Sequence, residues 1–487
     1  MRIHALALAF AVLHLAGCTS SGATLYNMPE LAVPDAWRHA SVPATAVAPG
    51  HWWREFQDPA LTSLVEGALR HNHDLAASAA AVRRARLQSG LTDRNALPQL
   101  SATVGANTTR NLRAPADASR AYSTSVSAAY EVDLWGRMSL QRDAAQWAAR
   151  ATEQDRRSLA LSLASATMGM YWRLGYLNES IVLGSQDIDH AQKTLEIARA
   201  RHAAGAGTAL DVLQAEQALA SAQAGLAQLD YQREESRSAL ALLYGAPPGQ
   251  AFPEPRRFPD GPFPAIAAGL PADILSRRPD VQAAELRLRE TIASGDASRM
   301  SFYPSLPLTG NLGTGSPALL SLLSNPAAAL GTSLALPFVQ WREMKLNAKI
   351  VRAGYEQAVA AFQQTFYRAL GEVESALALR QQLATQADYL DKALVTARKA
   401  EHLAEIQYRA GSVPLKTWLD AQEASRASAA AAASNRLDRL LAHAALYQVL
   451  GGDAAIAATG ADPNQASDAA EVSPSEETRR TDVAAQP

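Results

Sequence analysis

Between Tyr122 and Leu134 the chain alternates strictly. Tyr122, Thr124, Val126, Ala128, Tyr130, Val132 and Leu134 interleave with Ser123, Ser125, Ser127, Ala129, Glu131 and Asp133. A period of two with one mostly apolar and one polar side predicts a two-faced β-strand. Directly afterwards the pattern becomes helical: no proline occurs from Gly136 to Ala204, and Ala, Leu, Gln and Arg dominate. Toward the end of that stretch Leu177, Ile181, Gly184, Ile188, Ala191, Leu195 and Ala198 keep a 4-3-4-3 spacing. This is the mark of a supercoiled seam, in which small residues allow close approach. Leu383, Ala387, Leu390, Leu394 and Ala397 repeat it until Glu401 interrupts. At 1.5 Å per residue such a helix reaches about 100 Å, more than a compact domain spans.

The chain is written twice. Adding 206 carries Leu69 to Leu275, Asp74 to Asp280, Pro98 to Pro304, Trp135 to Trp341, Gly205 to Gly411 and Gly245 to Gly451, without a gap. A tandem duplication of one long unit follows, with repeats at 61–245 and 272–452. Each repeat is expected to open with a helix (about Leu61 to Asn95; Ala272 to Phe302) that ends before Pro98 or Pro304. Two strands follow: Leu100–Thr109 with Tyr122–Trp135, then Leu306–Thr314 with Leu330–Trp341. A long helix (Ser139–Ala204; Arg342–Ala410), a glycine break (Gly205 and Gly207; Gly411) and a shorter helix (Thr208–Tyr244; Pro414–Leu450) complete the unit. The proline-rich stretch 246–271 reads as an extended connector, since so much proline cannot continue a helix. Residues 18–60 read as an extended N-terminal segment, and 453–487, poor in large apolar residues, as a disordered tail.

Composition narrows the classes. The 487 residues carry a net charge of -2, which offers no basic face for nucleic acid. No apolar run after the N-terminus is long enough for a transmembrane helix. The single cysteine, Cys18, excludes an intramolecular disulfide. It follows Arg2, His4, the apolar run Ala5–Leu15 and the small pair Ala16-Gly17, the outline of a signal peptide over 1–17. The "LAGC" ending resembles a bacterial lipobox, which implies a diacylglyceryl group and an N-acyl chain such as palmitate on Cys18. The plainer alternative is an incidental cysteine in an ordinary signal peptide. Thr19 in place of an aspartate favours, by the lipoprotein sorting rule, the outer membrane. No other cofactor and no metal are expected: His71 and His73 lack further ligands, and "GNLGTG" at 310–315 lies between strands. No HExxH, G-x-S-x-G or P-loop occurs, so the chain is not read as an enzyme.

Each strand is about 10 residues, enough to cross a bilayer at a tilt. Tyr122, Val126, Tyr130, Val132 and Leu134 would face lipid, and the serines a watery lumen. Four strands cannot close a barrel, and an open edge in hydrocarbon leaves backbone groups unpaired. Chains must then combine, and three give twelve strands. A small amphipathic sheet capping a soluble helical bundle is the alternative.

The chain resembles the TolC-like outer-membrane factors, in the lipoprotein branch that serves multidrug efflux. The resemblance rests on "WWREFQDPALTSLVEGALRHNHDLAAS" at 52–78, "YEVDLWGR" at 130–137, "LPADILSRRPDVQAAELRL" at 270–288, and the tip segments "GTALDVLQAEQAL" and "YRAGSVPLKTWLDAQ". It implies a mixed α+β membrane protein: a homotrimer forming a twelve-stranded outer-membrane β-barrel, four strands per chain, continued into a long periplasmic α-helical coiled-coil barrel. It also implies a periplasmic adaptor (a membrane fusion protein) and an inner-membrane RND-type pump as partners. The function so implied is a passive exit duct for drugs and other small toxic molecules. Asp211, Tyr408, Arg409, Lys416 and Asp420 lie within two turns of the glycine breaks and are candidates for a periplasmic gate, since charges crowded on a threefold axis can bridge chains. Thr208-x-x-Asp211 also fits a capping box. The family's gate pattern matches at Asp420 but departs at Lys416 and Glu423. A channel for type I protein secretion and a non-conducting periplasmic coiled-coil lipoprotein remain as alternatives.

Overall fold

The structure, a computed structural model, describes residues 23–39, 51–110, 119–258, 263, 264, 266, 268–324 and 326–452. Cys18, the expected signal peptide and the expected tail lie outside the described residues. By their internal contacts, the described residues within 1–41, 76–158 and 269–375 form one compact unit, and those within 42–75, 159–268 and 376–452 form another.

The principal helices are α1 Pro59–His71, α2 His73–Asn95, α3 Arg137–Ala203, α4 Ala209–Tyr244, α5 Pro279–Met300, α6 Trp341–Arg409 and α7 Leu415–Val449. The strands are β1 Gln99–Thr109, β2 Ser119–Val132, β3 Leu306–Ser316 and β4 Pro326–Thr332, joined as one antiparallel sheet in the order β1-β2-β3-β4. No described helix is long and apolar enough to cross a membrane.

In the first unit the sheet passes into α3 through a turn that the "YEVDLWGR" residues build. Glu131 accepts two hydrogen bonds of 2.8 Å from Arg137. Asp133 caps the helix, accepting from the N–H groups of Met138 (3.1 Å) and Ser139 (2.9 Å). Gly136 supplies the left-handed φ of 73° that the turn needs. Trp135 donates from Nε1 to the Pro304 carbonyl at 2.7 Å and lies against Tyr303 and a small core of Leu140, Ala297 and Met300.

Three expectations in this unit are corrected. β2 ends at Val132, so Leu134 lies in the turn and outside the strand's apolar face. β4 runs from Pro326 to Thr332 and not from Leu330 to Trp341. Its last pair is Leu308↔Thr332. The next β3 residue is Pro307, which has no N–H to return to Ser333, so that pair keeps one 3.4 Å contact, Ser333 N–H to Pro307 O, and beyond it an isolated Ser305–Ala335 bridge follows. Finally, the helix expected over 272–302 is interrupted at Arg278, because Pro279 forces the preceding residue to extended ψ (117°). The nearly buried Arg278 guanidinium is held there by Asp280 (2.7 Å) and Glu372 (2.6 Å).

The second unit places the segment before α1 in its core, where an extended chain was expected. Residues Trp52–Phe56 form a 3-10 turn with both tryptophans fully buried. Trp52 stacks on Tyr447 at 4.7 Å, and Phe56 packs on Trp172 at 5.0 Å. The Tyr447 and Tyr171 hydroxyls donate to Glu55 (2.7 Å) and Asp58 (2.8 Å). Burial, with these acids beside them, pushes both phenols up and keeps them neutral donors. Asp58 also caps α1. The helix expected over 61–95 breaks at Asn72, whose Oδ1 accepts from Leu75 N–H and whose Nδ2 donates to Leu243 O, both at 2.9 Å. The Asn72 N–H still closes α1 on Ala68 O at 2.9 Å, but its extended ψ of 128° ends that helix and its side chain caps the start of the next. The seam on α3 is at least half-buried at all seven positions, and a Cβ on Gly184 would sit 3.5 Å from Leu226 on α4. On α6 the spacing continues through half-buried Glu401 to buried Ala404 and Tyr408, so the acid does not end the seam.

The proline-rich connector is fastened along this unit. Glu254 accepts from Arg237 (2.6 and 3.0 Å) and Asn178 (3.2 Å). Burial opposes ionisation of Glu254, but these hydrogen bonds outweigh it and hold its carboxyl below the usual value of 4.5. A carboxyl depressed by folding stabilises the fold fully above its ordinary value and loses that effect as pH falls through the lower folded value. Glu254→Gln is therefore expected to destabilise the connector by roughly 2 kcal/mol at pH 7 and by progressively less in acid. Hydrogen exchange over 250–258 at pH 7 and pH 4 would measure both.

Candidate functional site at the sheet and the helix tips

The register decides what the sheet can face. Paired residues share a side. Val126 pairs with Ala102 and Leu312, Ala128 with Leu100 and Gly310, Tyr130 with Leu308 and Val132 with Leu306; Leu330 joins this side opposite Gly310. The other side carries Ser101, Thr103, Asn107, Ser123, Ser125, Ser127, Thr309 and Asn311. A 2.7 Å bond joins the Ser101 and Ser127 hydroxyls there. Glu131 is the one charged member of that side among the described residues, and Arg137 neutralises it. The apolar side is bare: Val104 is 80% exposed and Leu330 94%. Of the expected lipid-facing residues, Tyr122, Val126, Tyr130 and Val132 share this side.

In the second unit the two glycine breaks form the same turn twice. Gly205 (φ 71°) donates to His202 O at 2.9 Å and Ala206 to Arg201 O at 2.8 Å. At +206, Gly411 (φ 75°) donates to Tyr408 O at 2.9 Å and Ser412 to Gln407 O at 3.0 Å. Both are αL helix ends that only glycine makes without strain. A shared core of Leu195, Ala198, Ala215, Ala404, Tyr408, Leu415 and Trp418 joins the two hairpins.

Arg201 crosses between them. Its Nη1 donates to Tyr408 O at 2.7 Å, its Nη2 to Ala206 O at 3.3 Å, and its guanidinium lies 4.9 Å from the Tyr408 ring centre. Sequence reading passed over this residue. The available signal was a cation in the last turn of a helix, where it can meet free carbonyls.

Each gate candidate has a place. Asp211 completes a capping box with Thr208, at 2.9 and 3.2 Å. It is also close enough to Tyr408 to act on its phenol, which burial pushes up, Arg201 opposing and Asp211 reinforcing. Tyr408 is buried, and its hydroxyl and the Trp418 Nε1 have no hydrogen-bond partner. Arg409 pairs with Glu405 at 2.7 Å. Lys416 and Asp420 pair on one helix face at 2.7 and 2.9 Å. The structure thus brings Asp211 near Tyr408 and Lys416 to Asp420, and commits Arg409 elsewhere. Away from the tip, His71 binds Gly67 O at 2.9 Å and stacks on Tyr244. Among the described residues no group of three His, Cys, Asp or Glu could hold a metal ion.

The family model described as outer membrane efflux protein matches residues 64–246 and again 270–452. The chain belongs to the outer membrane efflux protein family. Both ends of the second match lie 206 residues beyond those of the first, which is the offset of the internal duplication. Among relatives, the chain is 32% identical over 463 residues to the pyoverdine export outer membrane protein OpmQ of Pseudomonas aeruginosa, covering 93% of this chain and 97% of OpmQ. Among solved structures it is similar to the outer-membrane channel OprN (TM-score 0.81, 25% identity, 89% of this chain and 99% of OprN). It is also similar to the open state of the Neisseria gonorrhoeae MtrE outer membrane channel (TM-score 0.77, 29% identity, 88% and 98%). This efflux protein is an outer-membrane channel component of an export system; its family and fold are those of channels.

Two substitutions separate packing from polar bonding at the tip. Tyr408→Phe removes a buried hydroxyl without a partner and is expected to leave thermal stability unchanged or raise it by up to about 1 kcal/mol. Arg201→Ala removes its own bonds from the first hairpin to the second and is expected to cost roughly 1–3 kcal/mol. It should speed amide exchange at 404–412, and calorimetry with exchange on each variant would read both effects.

Proposed function

We propose that this efflux protein assembles as a homotrimer whose three sheets close a twelve-stranded barrel in the outer membrane. Its helices then line a periplasmic duct through which small molecules leave the cell. The observation that carries this is that every leucine, valine and tyrosine of the four strands lies on one side of a sheet whose outer strands are β1 and β4. An unpaired strand edge costs several kcal/mol per group in hydrocarbon. Head-to-tail pairing of β4 with the next copy's β1 removes every edge once the ring closes. Exposed Leu87, Leu91 and Leu97 beside β1, and Leu346 and Ile350 beyond β4, support apolar contact between copies.

Lipidation of Cys18 fits the same arrangement. Thr24 is tied to Asp296 by bonds of 2.5 and 2.9 Å, one helical turn before α5 ends near the sheet. Six residues span at most about 20 Å, so a diacylglyceryl and N-acyl anchor on Cys18 can reach the membrane next to the barrel. Two acyl signals are what stable anchoring needs.

The periplasmic end works as a gate with a periplasmic adaptor and an inner-membrane RND-type pump as partners, the pump supplying the energy. Asp211, Tyr408, Arg409, Lys416 and Asp420 take part, Gly205, Gly207 and Gly411 permit the turns, and Arg201 holds one hairpin to the other. A lumen wall of serine, threonine, alanine and glycine, whose one acid among the described strand residues, Glu131, is paired with Arg137, selects weakly, which suits varied small cargo. The export named for OpmQ extends the candidate cargo from drugs to secreted small organic molecules.

Purified protein in detergent should sediment as three copies and conduct in planar bilayers; a monodisperse, folded single chain would overturn the proposal. Asp211→Asn with Asp420→Asn should raise conductance, and an unchanged value would remove both from the gate. Deleting the gene should increase susceptibility to a panel of antibiotics, dyes and organic acids or reduce export of small metabolites.

A further inference from the structure

The two turns at the end of the sheet remote from the helices differ in chemistry. The β1–β2 connection carries Arg110, Arg113 and Asp117, with Arg120 following inside β2 opposite Thr108, whereas no charged residue occurs between Arg299 and Arg342, the stretch that includes the β3–β4 turn. That turn reads Ser316-Pro-Ala-Leu-Leu-Ser-Leu-Leu-Ser324. Its Leu319, Leu320 and Leu323 are all exposed, Leu323 to 77%.

Which way the turn folds follows from the strand's alternation. Thr314 and Ser316 lie on the side of Leu308 and Leu312, opposite Thr124 and Tyr122. Thr314 Oγ1 donates to Leu322 O at 2.5 Å. Ser316 Oγ shares a 2.6 Å bond with Ser321 Oγ and accepts from Ala318 N–H at 3.2 Å. The turn is therefore drawn over the apolar side of the sheet and away from the serine side. Its polar groups are turned inward as well: Ser321 Oγ donates to Ala318 O at 3.2 Å, Ser324 Oγ to Ser321 O at 2.6 Å, and Leu322 N–H to Leu319 O at 3.2 Å. A segment that satisfies its hydroxyls and the carbonyls of Ala318, Leu319, Ser321 and Leu322 while presenting leucines is suited to an apolar medium, where unpaired polar groups are not tolerated.

We propose that the β3–β4 turn is a lipid-docking element, with Leu319, Leu320 and Leu323 seated among acyl chains of the outer leaflet beside the barrel. The inference rests on the reading of the sheet as a lipid-facing barrel wall. Its occupant is lipid because the leucines continue the apolar side of β3 and β4 and carry no charge toward headgroups or water. In a ring of three copies the element recurs three times and fixes the depth of the barrel from the external side, as the Cys18 anchor would from the periplasmic side.

The test uses full-length protein in proteoliposomes, labelled with an environment-sensitive fluorophore at Leu320→Cys, at Val126→Cys on the apolar side and at Ser125→Cys on the polar side. The unsubstituted protein gives the labelling background. Lipids spin-labelled on their acyl chains should quench Leu320→Cys as strongly as Val126→Cys, and aqueous iodide should not. Iodide quenching of Leu320→Cys, with Val126→Cys still quenched by lipid, overturns the docking element and leaves the barrel reading standing. Loss of lipid quenching at Val126→Cys sinks both. The triple variant Leu319→Ser, Leu320→Ser, Leu323→Ser should leave single-channel conductance unchanged while losing the lipid quenching of an added label at Ala318→Cys. A changed conductance would place the turn over the channel mouth and overturn the proposal.

Discussion

Backbone hydrogen bonding in a medium without water governs this protein. The four strands pair with one another, but β1 and β4 each keep an outer edge of N–H and C=O groups that no other strand pairs with among the described residues. Water would take up those groups at little cost, and hydrocarbon would not. The leucines, valines and tyrosines of the same sheet all lie on one side, and the asparagines and the serines of β1 and β2 on the other. The proposed ring of copies and its polar bore rest on that single requirement acting on a two-faced sheet.

The duplication shows which parts of the unit are fixed by geometry and which are free. The αL glycines at 205 and 411, and at 245 and 451, recur at one offset, with matching bonds around the first pair. The helix interruptions at Asn72 and Arg278 are also 206 residues apart, yet their chemistry differs. Asn72 works through its own side-chain amide, while Arg278 sits before Pro279 and is held by Asp280 and Glu372. The position of the break is retained and the means of making it is not. At the tips the first hairpin starts its helix with the Thr208–Asp211 capping box, and the second with Pro414, which has no side-chain cap. This asymmetry gives the paired tips two unequal sides. Arg201, reaching from the first to the second, has no counterpart, because Gln407 stands at its +206 position.

Much of this was legible in the residues. Period-two alternation located β2, the proline-free seam located α3, and the glycine breaks located both tips, because each of those features is local. The seven seam positions are buried or half-buried as a 3.5-residue repeat requires. What local pattern could not give were the effects of distant partners. Glu401 looked like the end of a seam, but a helix already packed on both sides of that point carries the register through it. Trp52 to Phe56 lay in a proline-dotted stretch that read as extended, and became core because Tyr447 and Trp172, more than a hundred residues away, supply the surfaces. Leu134 continued the alternation in sequence, but Asp133 turns back to cap α3 and ends the strand first.

By itself the sequence determined the duplication, the order of elements in each repeat, the two faces of the strands and the family resemblance, since these depend on spacing along one chain. Tertiary structure decided the register that gathers four apolar faces on one side, the stop of β4 opposite a proline lacking its donor, and Arg201 bridging the hairpins. Each depends on which groups meet across hundreds of residues, and neither period nor composition encodes such a meeting.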